Sequence, residues 1–253
     1  MAKEIDPARW AEGRVVELKP WTDQLFSVRV EADVQTFTAG QFTKLGLPAD
    51  GDFIERPYSY VNAPDERPLE FYFITVPDGP LTQRLVKLRA GDALYVMRRP
   101  SGFLTLSEVP DARHLWLLST GTGIGPFLSM LKTDEPWRRF ERVVLVHAVR
   151  HARELSFADT LEKLAQAHGP AFVYVPFVSR EPADFALPGR IPQAVEEGTL
   201  EQRAGIRISL EDSQVMLCGN PAMVKDMREV LSKRGLAPNR RRSPGHVTVE
   251  NYW

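Results

Sequence analysis

The sequence predicts two domains, an antiparallel β-barrel followed by an α/β domain built on a parallel sheet. Before about residue 110, short runs rich in β-forming residues alternate with turn signals. After it, apolar strand-like runs alternate with helical stretches. The chain has 253 residues, 43% of them hydrophobic, which is enough for two cores. We place the domains at residues 1–108 and 109–253, with the polar segment 107–112 as the link.

The first domain is predicted to be a barrel because its strand candidates are short and closely spaced. The candidates are residues 14–20, 25–31, 69–76 and 93–99, with a short helix at 81–88. A further run, "RPYSYVN" at 56–62, is unusual because it would place Arg56, Tyr58 and Tyr60 on one face. Pro57 lacks an N–H group, which favours an edge strand.

The second domain is predicted to hold a parallel sheet covered on both faces, because continuous hydrophobic strands alternate with helices. The strand candidates are residues 114–120, 142–149, 171–179 and 214–219. Ligands of such sheets bind beyond the carboxyl ends of the strands. We therefore expect the loops that follow these strands to line one crevice.

The loop after the first of these strands, "STGTGIGPFLSM" at 119–130, is rich in glycine. Gly121, Gly123 and Gly125 allow positive φ and close approach of a ligand. The helix that follows would aim free N–H groups at an anion. The spacing G-x-G-x-G-P differs from the dinucleotide fingerprint G-x-G-x-x-G. A tight turn without a ligand is the alternative, but the position after a buried strand favours an anion site.

Three arginines, Arg150, Arg180 and Arg190, follow the next two strands. Guanidinium groups match the geometry of phosphate. For each arginine alone, ordinary solvent exposure is an equal alternative, but their shared position favours a phosphate site. The 2′-phosphate distinguishes NADP from NAD, and an arginine near the ribose is its usual reader.

The loop after the last strand, "LCGNPAMV" at 217–224, contains the single cysteine of the chain, Cys218. A lone buried cysteine usually serves packing. At the mouth of the crevice, Cys218 is placed for contact with a planar ligand. Pro221 suits the first position of a helix, where the missing N–H group costs nothing.

Composition excludes several classes of protein. The net charge of −1 gives no general attraction to nucleic acid or membranes. One cysteine excludes an internal disulfide framework, and the sequence shows no metal-ligand pattern. The N-terminus lacks the apolar segment of a signal peptide, and no apolar run approaches the length of about 18 residues that spans a membrane. A cytoplasmic protein without membrane insertion is the expectation.

Taken together, the motifs "RPYSYV", "GTGIGP", "VSRE", "LCGNP" and "ENYW" resemble those of bacterial ferredoxin/flavodoxin–NADP⁺ reductases, from about residue 10 onward. The resemblance implies an enzyme whose barrel holds FAD and whose α/β domain holds NADP(H). Hydride would pass at flavin N5, and electrons would leave singly to ferredoxin or flavodoxin. A monomer is expected. The alternatives are an NADPH-dependent reductase of the same fold with another acceptor, or a non-catalytic flavin redox sensor.

The resemblance also implies roles for the residues of the first domain. Arg56 pairs with the FAD pyrophosphate, Tyr58 stacks on the isoalloxazine ring, and Ser59 bonds near N5. Tyr60 and Val61 complete this motif. The helix start at Leu81 and Thr82 meets the pyrophosphate, although Thr82 could instead be a simple N-cap.

In the second domain, the resemblance assigns Thr122 to the junction of flavin and nicotinamide, and the three arginines to the 2′-phosphate. Arg180 and Arg190 are the stronger matches. Near the C-terminus, Tyr252 covers the flavin face that nicotinamide must enter, and Trp253 packs on the FAD adenine, so the tail returns to the flavin. The further cofactor-binding residues are Gly121, Gly123, Pro126 and Gly219.

The catalytic group is predicted to comprise Tyr58, Ser59, Cys218 and Tyr252, with Glu250 as a weaker candidate. Two basic runs, Arg98-Arg99 and 240–242, are candidates for docking an acidic carrier protein. Such runs are usually just solvated, so docking is a hypothesis.

Overall fold

The computed structural model describes residues 5–49 and 51–251, and the chain separates into two compact units, Met1–Phe103 and Leu104–Trp253. The division comes slightly before the predicted boundary at 108/109. Leu104, Leu106 and Val109 are buried. Arg139 donates to the Leu106 carbonyl at 2.7 Å and to the Val109 carbonyl at 2.6 Å. These contacts make the segment part of the second unit.

The first unit is an antiparallel sheet whose described strands number six, in the order β4-β3-β6-β1-β2-β5. They are β1 (Trp10–Pro20), β2 (Leu25–Glu31), β3 (Phe42–Ala49), β4 (Asp52–Ser59), β5 (Leu69–Ile74) and β6 (Ala93–Met97). A short helix, α1 (Thr82–Leu85), precedes β6.

The two edges of this sheet meet directly after β4. Tyr60 pairs with Phe71 of β5 in an antiparallel bridge, and the Val61 N–H donates to the Glu70 carbonyl at 2.9 Å. The sheet therefore closes on itself around a core that includes Val28, in agreement with the predicted barrel.

Strand β3 was missed by the sequence prediction, because Gly46 and Pro48 inside it resemble turn residues. The glycine is required by packing: a Cβ atom at Gly46 would lie 2.3 Å from Cζ of Phe53. Pro48 lies opposite Phe53 in β4.

The second unit contains a parallel sheet of six described strands in the order β10-β9-β8-β7-β11-β12. They are β7 (His114–Thr120), β8 (Arg142–Val149), β9 (Phe172–Val178), β10 (Leu187–Pro188), β11 (Ser213–Gly219) and β12 (Val247–Asn251). The helices are α2 (Gly125–Leu131), α3 (Glu135–Arg139), α4 (Ala158–His168), α5 (Ile191–Glu196), α6 (Thr199–Ala204) and α7 (Pro221–Lys233). The parallel α/β domain is confirmed, although β12 was predicted only as a tail.

The strand order reverses between β7 and β11. Strands β8, β9 and β10 extend from one side of β7, while β11 and β12 extend from the other. The neighbouring residues Trp116 and Leu117 of β7 are both completely buried, although they face opposite sides of the sheet. Crevices for ligands form where strand order reverses, beyond the carboxyl ends. This position is therefore the candidate site in the second unit.

We expect Arg139→Ala to lower the free energy of unfolding by about 2–3 kcal/mol, because it leaves the Leu106 and Val109 carbonyls without their charged donor. Urea unfolding measures this loss. Arg138→Ala, at the neighbouring exposed position of α3, is the matched control and should stay near the wild type. Equal effects of the two substitutions would contradict the assigned role.

Candidate functional site

The carboxyl ends of β7 and β11 are in unusually close contact. The hydroxyl of Thr120 accepts a hydrogen bond from the Asn220 N–H at 2.8 Å. Gly219 has a φ of 128°, and a Cβ atom there would lie 2.3 Å from the Thr120 hydroxyl oxygen. The Asn220 side chain then accepts from the Ala222 N–H at 2.8 Å and caps α7. Only glycine fits at 219.

The glycine loop packs against this junction. Residues Gly121–Ile124 form a 3₁₀ turn that leads into α2. A Cβ atom at Gly123 would lie 2.6 Å from the Cys218 carbonyl oxygen, so the two backbones touch. Gly121 has a φ of 52° and faces open space. The loop thus combines a fixed inner side with an open outer side, while Thr122 and Pro126 are buried.

A histidine that the sequence prediction missed forms a hydrogen bond with the backbone of the glycine loop. His147 of β8 is fully buried, and its Nε2 lies 3.0 Å from the Gly121 carbonyl oxygen. A carbonyl can only accept, so Nε2 carries the proton. Burial lowers the pKa of His147 to about 4, although the bond to Gly121 opposes this shift. The sequence signal was a single polar residue in the apolar run 143–149.

Strand β12 brings a carboxyl group beside the cysteine. Glu250 is the register partner of Cys218, whose other neighbour is Ser119 of β7. Cys218 is completely buried. Burial raises the pKa of Glu250 to about 7. Cys218 and Glu250 therefore occupy matching positions at the carboxyl end of the sheet. The predicted residues Tyr252 and Trp253 lie outside the described residues.

Three exposed arginines lie along the same edge of the sheet. Arg150 follows β8, and Arg180 follows β9. The Arg180 N–H donates to the Arg150 carbonyl at 2.9 Å, which joins the two loops. Arg190 occupies the N-cap position of α5. Within residues 5–49 and 51–251, none of the three forms an ion pair, so their guanidinium groups are available to an anion.

In the first unit, Arg56 and Tyr58 lie on strand β4 opposite Leu45 and Thr43 of β3. The Arg56 guanidinium is exposed and donates to the Glu55 carbonyl at 2.7 Å. The Tyr58 ring is half-buried and burial raises its pKa to about 12, although Arg56 lowers it. A cation and a partly exposed aromatic ring therefore lie two residues apart on one face.

The remaining residues of the motif are buried. Tyr60 is completely buried and stacks on Phe37 with ring centroids 3.8 Å apart. Val61 is also completely buried, and Ser59 is 5% exposed. The backbone N–H groups of Tyr60 and Val61 donate to Gln41 and Glu70. Packing thus accounts for the buried side chains of Tyr60 and Val61, and their assignment to cofactor binding stays a prediction.

Thr82 does not cap α1, which corrects the simpler of its two predicted roles. Leu81 holds the N-cap position, and no side chain caps the helix. The Thr82 hydroxyl instead accepts from the Val76 N–H at 3.1 Å and lies against Gly79. It therefore braces the turn before the helix, while Leu81 is buried in the barrel core.

Comparison with known proteins identifies the family. Residues 117–229 match the family described as "Oxidoreductase NAD-binding domain". The flavodoxin/ferredoxin–NADP reductase of Shigella flexneri is 48% identical over 247 residues, 97% of this chain and 100% of that protein. The chain belongs to the ferredoxin/flavodoxin–NADP reductase family.

Other members of the family extend this likeness. The ferredoxin–NADP reductase of Pseudomonas aeruginosa is 38% identical over 247 residues, 94% of this chain and 95% of that protein. A crystal structure of a ferredoxin NADP⁺ reductase from Neisseria gonorrhoeae with bound FAD and NADP has a TM-score of 0.92 and 34% identity, and covers 97% of this chain and 99% of that chain. The predicted resemblance is confirmed.

The two basic runs contain arginines with different surroundings. Arg241 holds the Glu108 carboxylate through both oxygens, with the shortest contact at 2.7 Å, and this bond lowers the pKa of Glu108. Arg98 donates to Asp33 at 2.8 Å. Arg240 and Arg242 are exposed. Arg241 is therefore used within the second unit, and the docking hypothesis for the run 240–242 rests on Arg240 and Arg242.

We expect His147→Gln to reduce the pH dependence of stability between about pH 6.5 and pH 4. Because folding lowers the pKa of His147, the unfolded state binds the proton first as the pH falls. As the pH falls from about 6.5 to 4, the free energy of unfolding of the wild type therefore decreases by up to about 3 kcal/mol. Above pH 6.5, His147 contributes no pH dependence. Urea unfolding of both proteins at several pH values tests this. Parallel stability curves for the two would contradict it.

Proposed function

We propose that this chain transfers electrons between NADP(H) and ferredoxin or flavodoxin through a bound FAD, as a ferredoxin–NADP⁺ reductase. The observation that carries the proposal is the edge of the parallel sheet in the second unit. There, an open glycine loop lies where the strand order reverses. Arg150, Arg180 and Arg190 lie along the same edge, and none of them forms an ion pair with another described residue. A dinucleotide with an extra phosphate fits this combination.

The first unit fits a flavin nucleotide. Arg56 offers an exposed guanidinium for the pyrophosphate, and Tyr58 offers part of an aromatic face to a flat ring. The start of α1 at Leu81 and Thr82 remains the second proposed contact. When bound, the flavin would supply the redox chemistry that links two-electron exchange with NADP(H) to one-electron exchange with the carrier protein.

The residues of the chain orient the reactants and handle protons. Ser59 is proposed to bond near N5, and Cys218 to contact the nicotinamide ring. Glu250 has a pKa raised to about 7, so it can bind or release a proton at neutral pH. Tyr252 is proposed to cover the flavin until nicotinamide enters, which is a gating role, while Trp253 holds the adenine.

The oligomeric state and cellular compartment of the protein are part of the proposal. Among the described residues, no helix is long and apolar enough to cross a membrane. We propose that the protein acts as a monomer in the cytoplasm. Light scattering of the purified protein tests the monomer.

Arg180→Ala and Arg190→Ala should each raise KM for NADPH roughly 10- to 100-fold, because a charged hydrogen bond to the 2′-phosphate is lost. KM for NADH should not change. Steady-state reduction of ferricyanide with each nucleotide measures the effect, and the wild-type protein should be yellow and bleach with NADPH. A colourless protein that does not take up FAD, or equal losses with NADPH and NADH, would refute the proposal.

Reversal of Arg240 and Arg242 to glutamate, with Arg241 left in place, should raise KM for an acidic carrier protein about tenfold at low salt. The effect should shrink as salt screens the charges. Reduction of ferricyanide should stay unchanged.

The matched control is the double variant Lys225→Glu and Arg228→Glu, which makes the same change in net charge at exposed positions of α7. If both double variants raise KM for the carrier equally, net charge rather than a docking surface explains the result.

A further inference from the structure

The loops after β8 and β9 are tied together beyond the ends of their strands. The Ser179 N–H and hydroxyl both donate to the Val149 carbonyl at 3.1 Å. One residue later, the Arg180 N–H donates to the Arg150 carbonyl at 2.9 Å. The arginines therefore project from two neighbouring loops that share a continuous ladder.

Glu181 closes this connection from the second loop. Its Oε1 accepts from the Ala152 N–H at 2.7 Å, and its Oε2 lies 3.3 Å from Nδ1 of His151. The same contacts lower the pKa of Glu181, the bond from Ala152 contributing most. The carboxylate thus bonds to the loop that carries Arg150 rather than to a guanidinium.

Glu154 binds the backbone of the first loop, to which it belongs. Its Oε2 accepts from the N–H groups of Arg150 at 2.9 Å and His151 at 3.2 Å. A carboxylate next to an arginine would ordinarily pair with it. Here the carboxylates bind the backbone of the loop, and Arg150 and Arg180 remain without an ion pair in the described part of the chain.

We propose that Glu181 is a positioning residue for discrimination between NADP(H) and NAD(H). By bridging the two loops, it holds Arg150 and Arg180 in the arrangement that reads the 2′-phosphate. The inference rests on the proposed function, which assigns these arginines to that phosphate. The backbone of the two loops then does not need to become ordered when the nucleotide binds, which preserves affinity.

A positioning role for Glu181 and simple charge repulsion predict opposite changes in NADP⁺ affinity when Glu181 is replaced. A carboxylate near a phosphate repels it, so removal of the charge alone would tighten binding of NADP⁺. Removal of a positioning bond would weaken it. Because the two effects differ in direction, affinity for NADP⁺ separates them.

The experiment measures binding of NADP⁺ and of NAD⁺ by calorimetry to the flavin-containing protein. Glu181→Ala removes the charge and the bridge. Glu181→Gln removes the charge but keeps an oxygen for the Ala152 N–H. Ala152→Pro removes that N–H and keeps the charge, at the first position of a 3₁₀ turn where proline is tolerated. Asp184→Ala is the control, because exposed Asp184 has no bond to another described residue.

We expect Glu181→Ala and Ala152→Pro to weaken NADP⁺ binding about tenfold, because displaced arginines lose part of a charged hydrogen bond to the 2′-phosphate. Binding of NAD⁺ should change little. Glu181→Gln should bind NADP⁺ at least as tightly as the wild type, because it loses the repelling charge and keeps the bridge. Asp184→Ala should bind NADP⁺ as the wild type does. Hydrogen exchange at Ala152 should accelerate in Glu181→Ala and stay slow in Glu181→Gln.

Two results would overturn the inference. One is that Glu181→Ala binds NADP⁺ as tightly as the wild type or more tightly; the other is that it weakens NADP⁺ and NAD⁺ equally. If Arg180→Ala leaves NADP⁺ binding unchanged, the proposed 2′-phosphate site itself fails. If Arg180→Ala weakens binding and neither Glu181→Ala nor Ala152→Pro does, only the role of Glu181 fails.

Discussion

The structure of the second unit depends on backbone contact at the carboxyl ends of β7 and β11. Side chains larger than hydrogen at positions 123 and 219 would collide with the Cys218 carbonyl and the Thr120 hydroxyl. Because the two chain segments touch, the glycine loop has a fixed floor and its outer side stays open at Gly121. The same contact fixes the start of α7 through Asn220. A loop built in this way can approach a phosphate closely without first becoming ordered.

The carboxylates and carbonyls around an arginine decide whether its guanidinium group bonds within the protein or can bind a ligand. Arg139 fastens the segment before β7, and Arg241 is held by Glu108. Around Arg150 and Arg180, the carboxylates bind backbone N–H groups instead. Since a guanidinium paired with a carboxylate is poorly placed to bind a phosphate, the partners of the nearby carboxylates decide which arginines can serve a ligand.

The sequence predicted the barrel, the parallel sheet and the glycine loop after the first strand of that sheet, because hydrophobic periodicity and glycine spacing are local signals. It missed β3, where Gly46 makes room for the Phe53 ring, a reason visible only in packing. It also missed His147, since one polar residue in an apolar strand gives no indication of its partner. The partner of Arg241 lies 133 residues away in the sequence, so no local pattern could separate it from Arg240 and Arg242.

The polar groups inside the second unit contribute to the electrostatics of the proposed anion site. His147 lies under the glycine loop, and its pKa of about 4 keeps it neutral at physiological pH. It therefore donates a hydrogen bond to Gly121 without adding a buried positive charge. Positive charge is left to the exposed arginines, which are proposed to attract the phosphate end of a dinucleotide. Near Cys218, Glu250 changes its protonation near pH 7. Within the second unit, His147 therefore stays neutral at physiological pH, whereas Glu250 can exchange a proton. This difference suits hydride and electron transfer at neutral pH.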